Sequence, residues 1–155
     1  MDAVTYPKEE TARALNDGFV AFKPQIDKNE SLARRFFVGW TPGIVILDGQ
    51  ENVHYRAFGY HPPEEFEHLL AIGLGTFDFH QGRFKTALEH FSHAADDSRR
   101  GPLQAEALYW QGVCRYKTGD KEGLAGTWSR LLDLYPESLW AQRASVIRPR
   151  AGAAA

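Results

Sequence analysis

Residues 36–49 read FFVGWTPGIVILDG, and this stretch decides how the first half of the chain folds. Its apolar run at 44–47 is rich in β-branched residues and ends at Asp48-Gly49, which is typical of a short strand followed by a turn. Residues 53–58 alternate in polarity and predict a second strand. The short polar connection between the two runs predicts an antiparallel β-hairpin.

The segments before this hairpin predict two helices and one further strand. Ala12 and Leu15 recur at helical spacing, and the turn residues 16–18 end that helix. Residues 19–22 form an apolar run that predicts a short strand, which Pro24 limits to a sheet edge or a bulge. Residues 30–37 predict a second helix, capped at its start by Asn29.

From about residue 65 onward the sequence predicts helices only. Sliding this half against itself by 37 residues gives a consistent register, which indicates an internal repeat. The matched pairs are Gly75 with Gly112, Phe79 with Tyr116, Gly82 with Gly119, Ala87 with Leu124, Phe91 with Trp128, and Ala94 with Leu131. Two ordinary amphipathic helical hairpins remain the alternative interpretation.

The repeated positions resemble a tetratricopeptide repeat, in which leucine-glycine, alanine and an aromatic four residues later, and proline follow in that order. Leu74-Gly75, Ala87 and Phe91 follow the pattern in the first copy, and Pro136 ends the second. The resemblance implies stacked helical hairpins that bind a peptide with their exposed aromatic side chains. Two repeats need additional packing, which we expect from the α/β half or from an apolar helix at 137–147.

Residues 1–72 resemble the thioredoxin superfamily with its beginning missing. The resemblance rests on the stretch 36–42, the strand at 44–47, Asp48-Gly49, and the second strand ending at Gly59. It implies a cis Thr41-Pro42 peptide bond, which is otherwise uncommon. It also implies a surface that faces a substrate or partner, formed by Trp40, Thr41, Pro42 and Gly43.

The same resemblance implies a gap in the sheet. In that family a further strand, followed by a Cys-x-x-Cys motif, lies between the strands that match residues 19–26 and 44–47, and this chain contains neither. Both neighbouring strands would then expose unpaired backbone groups. We therefore expect the chain either to be less stable than a complete family member or to pair along the exposed gap, for example as a homo-oligomer.

Composition and cysteine content exclude several functions. The 155 residues include 43% hydrophobic and 25% charged side chains with a net charge of −2, which is typical of a globular protein and not of a nucleic-acid-binding one. No apolar run reaches the ~20 residues that cross a membrane. The single cysteine, Cys114, allows neither a disulfide within the chain nor dithiol catalysis, so we predict no catalytic residue and a buried, unreactive thiol.

The histidines do not predict a metal site. His90 and His93 are one helical turn apart and His80 precedes them, but no third ligand follows at a recognised spacing. We interpret them as a solvated helix face and predict no metal and no cofactor.

The predicted fold is therefore an α/β thioredoxin-like unit without its first strand and active-site turn, followed by all-α tetratricopeptide-like helical hairpins. The predicted domains are residues 1–72 and 73–148, with a disordered tail at 149–155. The predicted function is a protein-interaction module for protein or peptide clients, with no nucleic acid and no membrane as partner, and a cytoplasmic location. The alternative is a fragment of a thiol-disulfide oxidoreductase whose Cys-x-x-Cys lies upstream of Met1.

Overall fold

The computed structural model describes residues 1–96 and 101–147. Within these ranges the chain is mostly helical and contains one two-stranded antiparallel sheet, so the mixed α/β class is confirmed in this coarse form. The elements are α1 (Glu9–Gly18), α2 (Glu30–Arg35), β1 (Gly43–Leu47), β2 (Val53–Phe58), α3 (Pro63–His80), α4 (Phe84–Ala94), α5 (Pro102–Lys117), α6 (Lys121–Leu134) and α7 (Leu139–Ala144), with 3-10 turns at Ile26–Lys28 and Ser145–Ile147. The predicted tail at 149–155 lies outside the described residues.

The predicted β-hairpin is confirmed. Strands β1 and β2 pair antiparallel, with Ile44 opposite Ala57 and Ile46 opposite Tyr55, and the register shifts after Ile46. Asp48 organises the turn, because its carboxylate accepts hydrogen bonds from the backbone N–H of Gln50 at 2.8 Å and from residue 52 at 2.9 Å. A short aspartate at this position is a common device for closing a tight connection.

The strand predicted at 19–22 is wrong. Residues 19–25 have no regular secondary structure, and the side chain of Val20 is fully exposed, at 101%. A strand is stabilised only when a neighbouring strand accepts its backbone hydrogen bonds, and the sheet consists of β1 and β2 within the described ranges. Local apolar composition alone therefore did not produce a strand here.

The second half forms two helical hairpins, α3 with α4 and α5 with α6. Their core contains the fully buried side chains of Leu69, Ile72, Phe91, Leu108 and Leu131. The predicted helix at 137–147 is present as α7 and the following 3-10 turn, and it packs on α5 and α6.

The 37-residue register is confirmed by equivalent contacts in the two hairpins. A Cβ atom on Gly75 would lie 2.8 Å from the ring of Phe91, and a Cβ on Gly112 would collide with Trp128 in the same way. The paired glycines Gly82 and Gly119, which follow α3 and α5, both adopt positive φ angles, of 74° and 88°. Glycine adopts this conformation without steric cost, so both hairpins turn in the same manner.

One helix joins the two halves of the molecule. The boundary predicted after residue 72 falls inside α3, and Ile46 of β1 packs so tightly on Gly73 that no side chain fits there. The hydroxyl of Tyr55 on β2 reaches further and donates to the Glu106 carboxylate of α5 at 3.1 Å. The hairpin is thus attached to both the first and the second helical repeat.

Candidate functional site

Three exposed aromatic side chains lie around the connection between α2 and β1. Phe37, Trp40 and Phe58 are 77%, 71% and 45% exposed. Large apolar side chains that lie together on a surface commonly mark an interaction site. We call these three residues the aromatic surface.

The backbone around residues 37–43 holds this surface in place. Phe37, just after the end of α2, adopts a φ of 55°. The chain changes direction at this residue and continues toward β1. Gly43 sits in a crowded corner, where a Cβ atom would lie 2.7 Å from Val38 Cγ1 and 3.4 Å from the ring of Phe58. Glycine at this position therefore allows the connection and the end of β2 to approach each other.

The four predicted partner-facing residues lie on this connection. Trp40, Thr41 and Gly43 are exposed, and Pro42 is half-buried. The Thr41-Pro42 peptide bond is cis, which confirms that prediction. The Pro42 carbonyl accepts a hydrogen bond from the Gly59 N–H at 2.8 Å, so the strand pairing extends to this residue.

An open groove adjoins the aromatic surface and was not predicted from the sequence. Its volume is about 660 Å³ and its lining is mainly apolar, with Ile26, Ala33 and Val38 beside Phe37. All lining residues fall within 26–39, and positions 30, 33, 34 and 37 follow helical spacing, so one face of the helix predicted at 30–37 carried the sequence signal for this groove. Together with the aromatic surface, the groove forms a larger apolar area that a bound molecule would cover.

Most of the charges near this surface are paired. Arg34 forms an ion pair with Glu30, and Arg35 with Glu51. Arg56 of β2 lies over the ring of Phe37, with 5.8 Å between the guanidinium carbon and the ring centroid. Within the described ranges no carboxylate lies at ion-pair distance from Arg56, so this cation is available to an acidic group.

The thiol of Cys114 is not placed to react with a disulfide. Its side chain is fully buried in α5, and this burial raises the pKa of the thiol to about 12. Since only the thiolate attacks a disulfide, the group is unreactive at neutral pH. The prediction of a buried, unreactive thiol agrees with this environment.

A histidine pair lies where the hairpin meets the end of α3. Nδ1 of His54 and Nδ1 of His80 are 2.8 Å apart, and Nε2 of His54 is 3.2 Å from the carboxylate of Asp48. When both rings are neutral, His80 donates to His54 and His54 donates to Asp48. Hydrogen bonds from residue 52 and from His54 hold the pKa of the Asp48 carboxyl well below its usual range.

The remaining histidines do not assemble a metal centre. His90, predicted to be on a solvated face, is half-buried, with its Nε2 3.3 Å from the Asp78 carboxylate, while His93 is exposed. Within residues 1–96 and 101–147, no group of three or more His, Cys, Asp or Glu side chains is arranged to hold a metal ion.

In the same ranges, no helix combines the length and the apolar character needed to span a membrane.

Comparison with known proteins gives no match to a family model, to a curated protein or to a solved structure. The architecture alone therefore defines the class of this protein. It combines a small β-hairpin that carries an aromatic surface with a repeated pair of helical hairpins.

Proposed function

We propose that this chain is a protein-interaction module, with a thioredoxin-like and a tetratricopeptide-like part, that binds protein or peptide clients at its aromatic surface. The observation that carries the proposal is the joint exposure of Phe37, Trp40 and Phe58 beside an apolar groove. Burying such side chains on binding releases water from a large apolar area, and tryptophan in particular dominates the energetics of many interfaces.

The helical half supports this proposal as a rigid platform. Its two hairpins repeat the same glycine-to-aromatic contact, which is how stacked helical repeats bring their helices close together. The hairpin carrying the aromatic surface packs on this platform through Ile46 and Tyr55. A binding surface that is held in place before the client arrives loses less conformational entropy on binding.

The second candidate function is part of a thiol-disulfide oxidoreductase whose cysteine pair lies outside this chain. It is supported by the resemblance of residues 36–49 and by the exposure of Trp40, Thr41 and Gly43. The only thiol in the chain is buried and does not face this surface. An insulin reduction assay separates the candidates when it is run on the chain alone and on the chain with an upstream Cys-x-x-Cys segment restored. Activity only after restoration supports the oxidoreductase, and activity of the chain alone would contradict the interaction module.

Peptide binding tests the first candidate directly. Peptides selected from a random displayed library would be labelled and titrated with the protein, with affinity measured by fluorescence anisotropy. We expect Trp40→Ala to weaken binding by about 30-fold, as for a central interface residue. Phe37→Ala should act in the same direction.

Tyr116→Ala provides the matched control, since Tyr116 is an exposed aromatic residue on α5, away from the hairpin. This variant should bind the selected peptides with unchanged affinity. Equal affinities for the Trp40→Ala and Tyr116→Ala proteins would contradict the proposed site.

A further inference from the structure

The backbone of β1 has one side that is not paired. The Pro42 carbonyl and the Asp48 N–H both bond to the β2 side of the hairpin, with Gly59 and residue 52 as their partners. The backbone N–H and C=O groups of successive residues in a strand point in opposite directions. In β1, those of the even-numbered residues therefore point toward β2. Gly43, Val45 and Leu47 therefore direct their N–H and C=O groups away from β2, and we call these three residues the free edge.

The free edge lacks the usual protection against further pairing. Natural edge strands are commonly blocked by a lysine, a proline or an inward-pointing charge. Residues 43–47 read GIVIL and contain none of these, and Gly43 and Leu47 are exposed. Within the described ranges, the sheet contains no third strand beside β1.

The side chains of the free-edge residues lie on one face of the sheet. This face is apolar and carries one cation. Gly43 is opposite Phe58, and Val45 is opposite Arg56 in the register of the hairpin. Side chains on one face of a sheet contact those of the neighbouring strand. A strand added beside β1 would thus lie next to Val45 and continue toward the aromatic surface. Arg56 lies on the same face one strand further away, at two strand spacings or roughly 10 Å, so it would attract an acidic side chain that reaches across Val45.

We propose that the free edge of β1 accepts an extended peptide as a third strand, with apolar side chains alternating along the peptide and one acidic residue facing Arg56. This inference rests on the proposed function and specifies its binding mode. Backbone hydrogen bonds provide the affinity in such strand addition, and alternate side chains provide the selectivity. The three residues of the free edge offer a donor and an acceptor each.

Amide hydrogen exchange measured by NMR tests this binding mode residue by residue. The probe is a synthetic eight-residue peptide that alternates valine and threonine and contains one glutamate. In the free protein, the amides of Ile44 and Ile46 should exchange slowly, since they pair with β2, and those of Gly43, Val45 and Leu47 should exchange fast. Saturating peptide should slow exchange at the latter three by at least about tenfold.

N-methylated versions of the probe give a control that leaves the protein unchanged. Methyl groups on every second peptide nitrogen remove the donors that face β1 in one version and the donors that face solvent in the other. We expect the first version to lose binding and the second to retain it. Equal affinities of the two versions would overturn the inference.

The remaining outcomes distinguish this inference from the proposed function. If library-selected peptides bind in a Trp40-dependent way but leave the free edge in fast exchange, strand addition is overturned and the interaction module stands. Concentration-dependent protection of the free edge without peptide would assign it to a second copy of the chain and overturn the inference. Absence of probe binding at millimolar concentration would also overturn it.

Discussion

Trp128 lies directly against Gly112, and its indole N–H donates a hydrogen bond of 3.0 Å to the Tyr109 carbonyl. The ring is stacked on that of Tyr109, with 5.1 Å between the centroids. Thirty-seven residues earlier, Phe91 occupies the same position against Gly75. Because the indole N–H of Trp128 donates to a backbone carbonyl, this ring, which is larger than that of Phe91, fits the equivalent site without leaving a polar group unpaired.

Gly112→Ala should destabilise the protein by about 2 kcal/mol, because the added methyl group would overlap the Trp128 ring and displace it. Chemical denaturation monitored by circular dichroism measures this free energy of unfolding. Gly126→Ala is the control, since Gly126 also lies inside a helix but its Cβ would have nothing within 4 Å. That substitution should stabilise the protein by about 0.5–1 kcal/mol, the usual gain of alanine over glycine in a helix. A loss at Gly126 as large as that at Gly112 would argue against close packing as the cause.

The bond between Tyr55 and Glu106 should contribute to the attachment of the hairpin to the second repeat. Tyr55→Phe removes the donor and leaves a half-buried carboxylate without it, at an expected cost of about 1–2 kcal/mol. The environment of Glu106 agrees with this, because burial raises the pKa of its carboxyl. Tyr60→Phe, at an exposed tyrosine just after β2, should leave the free energy of unfolding unchanged. Identical stabilities of the two variants would indicate that the bond contributes nothing.

Stability should decrease as pH falls below neutrality because of His80. Burial and the nearby His54 lower the pKa of His80 in the folded state, below the unfolded value of about 6.5. The unfolded chain therefore takes up a proton first, and the stabilising effect is lost as pH falls from above 6.5 toward the folded pKa. The other charged groups around the pair are Asp48 on the turn and Arg83, which lies over the neighbouring ring of Phe77.

Denaturation curves between pH 5 and 8 would measure this effect, which begins near the unfolded pKa of ~6.5 and grows as pH falls further. His80→Gln should flatten the pH dependence, while His93→Gln, at an exposed position on α4, should retain it. An unchanged slope in the His80→Gln protein would show that another group is responsible.

The features predicted correctly from the sequence are those that depend on neighbouring or regularly repeated residues. The β-hairpin followed from alternation and from Asp48-Gly49, and the helical register followed from paired glycines and aromatics. The strand at 19–22 failed because strand formation depends on a partner strand, which local composition does not reveal.

The polar contacts between elements could not be predicted for the same reason. His54 and His80 are 26 positions apart, and Tyr55 and Glu106 are 51 positions apart. None of these residues belongs to a motif with fixed spacing, so only the packing of β2 against α3 and α5 brings them together. The exposure of Phe37 was equally hidden, since an apolar run of this kind is more often buried, whereas an outward-facing Trp40 was expected only from the family resemblance.

Cys114 should react with a thiol reagent only when the protein unfolds. Its side chain is fully buried, and its pKa of about 12 leaves almost no thiolate at pH 8. We expect labelling by Ellman's reagent to be at least about 100-fold slower in the native protein than in guanidinium chloride, where the thiol has an ordinary pKa near ~8.5. Because the chain has a single cysteine, the signal reports this residue alone. Rapid labelling of the native protein would mean that α5 opens at little cost, and the rigid platform assigned to the helical repeats would then be wrong.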